Sequence, residues 1–121
     1  MDTSVWVNHF REHNPALVQL LEMDAVVVHP MVLGELACGT PPERTRTLSD
    51  LSVLQLTRQA QWQEVMGLIE REKLFGLGCG WVDVSLLASA LLSPGLELWT
   101  MDKRLSALAD RFGVMHRAQL N

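Results

Sequence analysis

Apolar positions along the chain change period several times, and each change marks an element. From Val82 to Leu92 nearly every residue is apolar or small, which predicts a helix buried on all sides. Ser93-Pro94-Gly95 reads as a turn, and Leu96 to Trp99 as a short strand that ends shortly before Asp102. Upstream, Ala25-Val26-Val27-Val28 has the length and branching of one buried parallel strand. Residues 16–23 place Leu17, Leu20 and Leu21 on one helical face, and Pro30 opens a second helix over 31–37 that stops near Gly39. A short polar helix over 43–51 and a weak strand over 52–56 follow. Thr57 is the expected N-cap of an amphipathic helix reaching about Lys73. Gly76 to Gly80 form a glycine-rich loop. A helix over 104–112 and a last strand over 114–116 complete the series. At the other end, Met1 to Val7 mix β-branched residues with a Trp, and a short helix is expected from His9 to His13, cut by Asn14-Pro15.

Alternation of this kind predicts an α/β fold in which helices cover both faces of a mainly parallel sheet. A helix that packs back on its following strand brings the helix start and the strand end to the same edge. Asp83 at the head of the long apolar helix and Asp102 past the strand are therefore expected to be neighbours. That edge is where open α/β sheets bind ligands.

With 121 residues, of which 48% are apolar, the chain is expected to form one domain, residues 1–121, with a sizeable core. No apolar run approaches a membrane span, no secretory signal is visible, and Cys38 and Cys79 fit a reducing compartment, so a cytoplasmic protein is expected. The net charge of -4 argues against holding nucleic acid by phosphate neutralisation alone. An acidic protein can act on a polyanion only if bound cations supply the missing charge.

Asp2, Glu35, Asp83 and Asp102 all fall at the ends of strands or near the starts of helices. Four clustered carboxylates repel one another, and a hard divalent ion such as Mg²⁺ or Mn²⁺ removes the conflict. Acids at helix starts are also commonplace, because they complement the helix dipole. Spacing alone leaves both readings open.

The opening DTSVW, the central HPMVLGELACG, and above all GWVDVSLLASALL with LELWTMDKRL resemble the PIN-domain ribonucleases, and among them the VapC-type toxins of bacterial toxin–antitoxin pairs. The resemblance implies a three-layer α/β/α fold with a sheet of four to five strands. It also implies a Mg²⁺- or Mn²⁺-dependent acidic site that hydrolyses RNA to 5′-phosphate and 3′-hydroxyl ends. By position, Asp2, Glu35, Asp83 and Asp102 match the family's acids, and Thr3, Ser4 and Thr100 match supporting hydroxyl positions. A cognate antitoxin and self-pairing into a homodimer are implied as well. One departure stands out: family members usually carry several apolar residues before the first acid, whereas only Met1 precedes Asp2 here. The first strand is therefore expected to be truncated, through a start assigned too late or a stub that suffices.

Arg11, Lys103 and Arg104 are the basic residues best placed for RNA phosphates, with Arg44 and Arg46 further candidates. Trp6, Trp62, Trp81 and Trp99 could stack bases, though Trp6 and Trp99 read as core. His9-Phe10-Arg11-Glu12-His13 spells H-x-x-E-H, a zinc-protease pattern, but Asn14-Pro15 would end the helix such a site needs. The glycine loop lacks the Lys-Ser/Thr ending of a phosphate loop. The alternative to a nuclease is a PIN-like module that binds protein or RNA without cutting it.

Overall fold

The computed structural model describes residues 1–118. Among the described residues, seven helices surround a minimal sheet: α1 Thr3–Glu12, α2 Pro15–Glu22, β1 Val27–Val28, α3 Pro30–Cys38, α4 Arg44–Ser52, β2 Gln55–Leu56, α5 Trp62–Glu72, α6 Trp81–Leu91 and α7 Lys103–Arg111. β1 and β2 run parallel, with Val27 opposite Gln55 and Val28 opposite Leu56. Leu98 and Met115 form a separate parallel bridge.

Helix starts follow local chemistry. Asn14 caps α2 by accepting from Leu17 N–H, with Pro15 at the first helical position. In the same way His29 caps α3 through Met31 N–H, ahead of Pro30. α5 begins later than expected. Thr57 spends its N–H on Val28 O (2.9 Å) and so extends the strand pair rather than capping a helix. Gln61 takes the capping position, its N–H donating to the Glu64 carboxylate at 3.0 Å.

α6 is the central helix. Every residue from Val84 to Ala90 is buried, including Ser85 and Ser89. Its neighbours are α5 on one flank and α7 on the other, while α1 packs on α3 and α3 on α4. Leu17, Leu87, Leu105, Val5, Val28 and Val32 lie at the centre of the core and are almost fully excluded from solvent.

Two expectations need correction. Helix α1 begins at Thr3 and runs ten residues, so Met1 to Val7 form no strand. Asp2 accepts from Thr3 N–H and starts the helix at once. The expected sheet of four to five strands is reduced, among the described residues, to one two-residue pair and one bridge. A parallel ladder needs strands on adjacent lines, and on the line between β1 and Leu98 the described residues supply one backbone bond, from Asp2 N–H to Trp99 O (2.8 Å). The layered arrangement survives, with Leu20 of α2 on one side of that line and Leu86 and Ala90 of α6 on the other. No helix among the described residues is long and apolar enough to cross a membrane.

His29 ties three elements together at the centre. Its Nδ1 accepts from Met31 N–H, which leaves Nε2 to carry the proton and donate to Ser89 Oγ (3.1 Å). Ser89 Oγ in turn accepts from Ala60 N–H and donates to Ser85 O. Burial, and then the nearby N-terminal charge, lower the His29 pKa from its ordinary 6.5. The folded state thus binds this proton less tightly than the unfolded chain. Its neutral form is fully effective above pH 6.5, and stability falls as pH drops below that value towards the lower folded pKa. Denaturant melts between pH 7 and 5 should show this decline, and His29→Asn, which keeps a cap for Met31, should flatten it. An undiminished slope in the variant would assign the decline to other groups.

Candidate active site

Asp2 is the hub. It is 7% exposed, and its two oxygens take three donors. Oδ1 accepts from Thr3 N–H at 2.7 Å, while Oδ2 accepts from Ser4 Oγ at 2.8 Å and Thr100 Oγ1 at 2.7 Å. Thr3 Oγ1 also donates to Glu35 Oε1 at 2.7 Å, which brings α3 to the same edge. Thr100 Oγ1 accepts from Asp102 N–H, and Ser4 Oγ accepts from Met101 N–H. The three hydroxyls picked out in the sequence thus stitch the start of α1 to Glu35 and to the approach to α7.

Asp83 and Asp102 each serve a helix start. Asp83 Oδ2 accepts from Gly80 N–H at 3.3 Å, and Asp102 Oδ1 caps α7 through Leu105 N–H at 2.9 Å. Burial raises the Asp83 pKa most, and the charges of Asp2, Asp102 and Glu35 raise it further, against the Gly80 hydrogen bond. Asp83 thus lies within electrostatic reach of all three other acids. None of them takes part in an ion pair among the described residues.

That uncompensated charge, built from oxygen donors alone, fits a hard divalent cation. As the side chains stand, no three of the described His, Cys, Asp or Glu groups form ready-made ligand geometry. Each carboxylate instead accepts from a nearby N–H or hydroxyl: Asp2 from Thr3, Ser4 and Thr100, Glu35 from Thr3, Asp83 from Gly80 and Asp102 from Leu105.

Among the basic candidates, Arg104 is the one that lies over the glycine loop. Gly78, at φ +86°, lies directly beneath its guanidinium, and a Cβ there would stand 2.7 Å from Nη1. Arg104 also acts on Cys79, whose thiol pKa is raised by burial, Asp83 and Asp102 and lowered by Arg104. This places the guanidinium beside the acids. Arg11 lines an apolar groove of about 320 Å³ that runs from Thr3 and Glu35 to Pro41 and Pro42. Lys103 is exposed on α7. Arg44 instead binds the carbonyls of Ala37 and Gly39, and Arg46 faces Asp50 at 4.0 Å on the exposed side of α4.

The tryptophans divide. Trp6 and Trp99 are buried, whereas Trp62 and Trp81 are exposed, and Trp81 opens α6 two residues before Asp83. Gly78 was legible only as a loop glycine. Its role under Arg104 depends on two segments meeting, which spacing does not show.

The H-x-x-E-H pattern makes no zinc site here. His13 lies outside α1 at a left-handed C-cap, and His9 Nδ1 accepts from Asn14 N–H at 3.0 Å.

The chain as a whole is matched by known proteins. Residues 1–111 match the PIN domain family. The chain belongs to that family. Relatives include Ribonuclease VapC32 of Mycobacterium tuberculosis, from strain H37Rv and from strain CDC 1551 / Oshkosh. Each is 42% identical over 114 residues, covering 94% of this chain and 92% of the relative. No solved structure matches the chain. The PIN relationship carries the α/β architecture, of which this molecule displays a helix-rich version with a small parallel sheet.

Proposed function

We propose that this PIN-domain protein is a metal-dependent endoribonuclease of the VapC kind and the toxin of a toxin–antitoxin pair. One observation carries the chemistry: Thr3 bonds both Asp2 and Glu35, Asp83 lies within electrostatic reach of Asp2, Asp102 and Glu35, and none of the four is in an ion pair among the described residues. The likeness to Ribonuclease VapC32 supports RNA as the substrate class. By the same likeness we include a cognate antitoxin, self-pairing and a cytoplasmic location in this reading.

Asp2, Glu35, Asp83 and Asp102 would hold Mg²⁺ or Mn²⁺. Such an ion supplies Lewis acidity, making bound water acidic and offsetting charge on phosphoryl oxygens. The chain's own residues do the positioning. Thr3 fixes Glu35, while Ser4 and Thr100 fix Asp2, so two carboxylates point into the edge in set rotamers. Lys103 and Arg104 meet the phosphates that flank the scissile bond, and no side chain serves as a covalent nucleophile.

Antitoxin-free protein should cleave bulk RNA when Mg²⁺ or Mn²⁺ is added and stop when it is chelated. Intact RNA under those conditions would favour a binding module without catalysis. Arg104 gives a finer test. Gly78→Ala should push the guanidinium off its seat, and a lost charge-assisted phosphate contact is worth about 1.5–3 kcal/mol. KM should therefore rise about tenfold or more. An equal rise in Arg104→Ala, with no further rise in the double variant, would show that Gly78 acts through Arg104.

A further inference from the structure

Consecutive residues from the glycine loop into α6 each meet a different part of the site. Gly78 lies beneath the Arg104 guanidinium, so close that a Cβ would stand 2.7 Å from Nη1. Cys79 is within electrostatic reach of Asp83, Asp102 and Arg104 together. Gly80 gives its N–H to Asp83 Oδ2 at 3.3 Å. Trp81 comes next and opens α6. Neighbouring Cα atoms are ~3.8 Å apart, so the indole is rooted one residue from the amide that binds the Asp83 carboxylate. A guanidinium, an acid and an aromatic ring thus share one short stretch of chain.

The core does not absorb this ring. Trp81 is 42% exposed, whereas Trp6 and Trp99 are buried. Among the described residues it packs against no other aromatic ring. Every residue from Val84 to Ala90 is buried, so the helix that carries Trp81 is seated in the core. Trp62 supplies an internal comparison. It opens α5 as Trp81 opens α6, and Glu64, two residues on, accepts from the N–H before it just as Asp83 does. Glu64 is not among the acids that act on Asp83. Trp62 therefore shares the local design and lacks the site.

Single-stranded nucleic acid is held by cations that track its backbone and by aromatic faces on which its bases stack. Arg104 supplies the first and Trp81 the second. Bases within a duplex offer no free face, whereas bases of loops and single strands do. We infer, resting on the nuclease reading for the ligand, that Trp81 is the base-stacking residue of the site and takes an unpaired nucleobase of the RNA whose phosphate meets Arg104. Every base has a π-face, so stacking tolerates any base identity. Trp81 selects for an unpaired nucleotide rather than for a sequence.

The probe is a single-stranded RNA of about eight nucleotides, within the usual span of such sites. It is added in Mg²⁺ to the Asp83→Asn protein, so that it is not cut. With Trp62→Phe also present, Trp81 is the exposed indole, and the RNA should quench its fluorescence saturably. A duplex of the same length should not. Trp81→Ala and Trp81→Leu should each raise Kd on the order of tenfold. Trp81→Phe should stay within about threefold of the parent, because a smaller ring still stacks, and Trp62→Ala should change nothing. Unchanged affinity in Trp81→Leu, an equal loss in Trp81→Phe, equal quenching by the duplex, or no binding at all would each overturn the stacking role. Emission that shifts with protein concentration and not with RNA would assign Trp81 to a contact between copies and overturn it too. Cleavage of bulk RNA judges the nuclease reading separately. Cleavage with unchanged affinity in Trp81→Leu sinks the stacking residue alone, and Trp81-dependent binding without cleavage sinks the nuclease alone.

Discussion

Asp83→Asn should abolish RNA cleavage, by on the order of 10³-fold or more, while leaving the cation-free fold as stable as before or more so. The first half follows from the role proposed for this carboxylate, since an ion's stabilisation of transition-state charge is worth several kcal/mol. The second half follows from its surroundings. Burial and three neighbouring acids disfavour the charged form of Asp83, so folding works against that charge at neutral pH, and a neutral amide of the same shape removes the conflict. The hydrogen bond at stake among the described residues is the 3.3 Å one from Gly80 N–H, which an Asn oxygen can also accept. Single-turnover cleavage and denaturant melts on the same preparations check both halves. A dead variant with a clearly lower melting midpoint would leave the loss of activity attributable to unfolding.

Adding Mn²⁺ should stabilise the protein markedly and saturably. The four acids meet only in the folded chain, so a cation at one hundred times its dissociation constant adds about 2.7 kcal/mol. For a domain of this size that is a Tm rise of roughly 10 °C. Asp83→Asn and Asp2→Asn should each blunt the rise, whereas His29→Asn should not. Scanning calorimetry against Mn²⁺ concentration measures it, and an equal rise in all variants would place the ion elsewhere.

Much of this arrangement was legible in the sequence. Helix α6 announced itself through an unbroken apolar run, and the run at Ala25 to Val28 contains β1. The nearness of Asp83 to Asp102 was expected from chain direction, and a cation from the repulsion of clustered acids. The first helix was misread because β-branched Val5 and Val7 resemble a strand, whereas Asp2 caps so effectively that α1 starts at Thr3. The start of α5 was misplaced because a Thr is equally suited to capping and to strands, and Val28 decided between them from 29 positions away. The sheet was overcounted because pairing is a property of neighbours: residues 114–116 have strand character, but only Met115 bridges to Leu98. The contact of Arg104 with Gly78 joins helix α7 to a distant loop and leaves no local pattern.

Three of the acids share a further trait. Asp2, Asp83 and Asp102 each hold a backbone amide at the start of a helix, through Thr3, Gly80 and Leu105 respectively. In the proposed site, helix initiation and cation capture would draw on the same carboxylates. A bound ion would perturb those three amides, so their proton resonances would gauge its occupancy, one for each carboxylate. Glu35, oriented by a hydroxyl instead, is the silent member of the set.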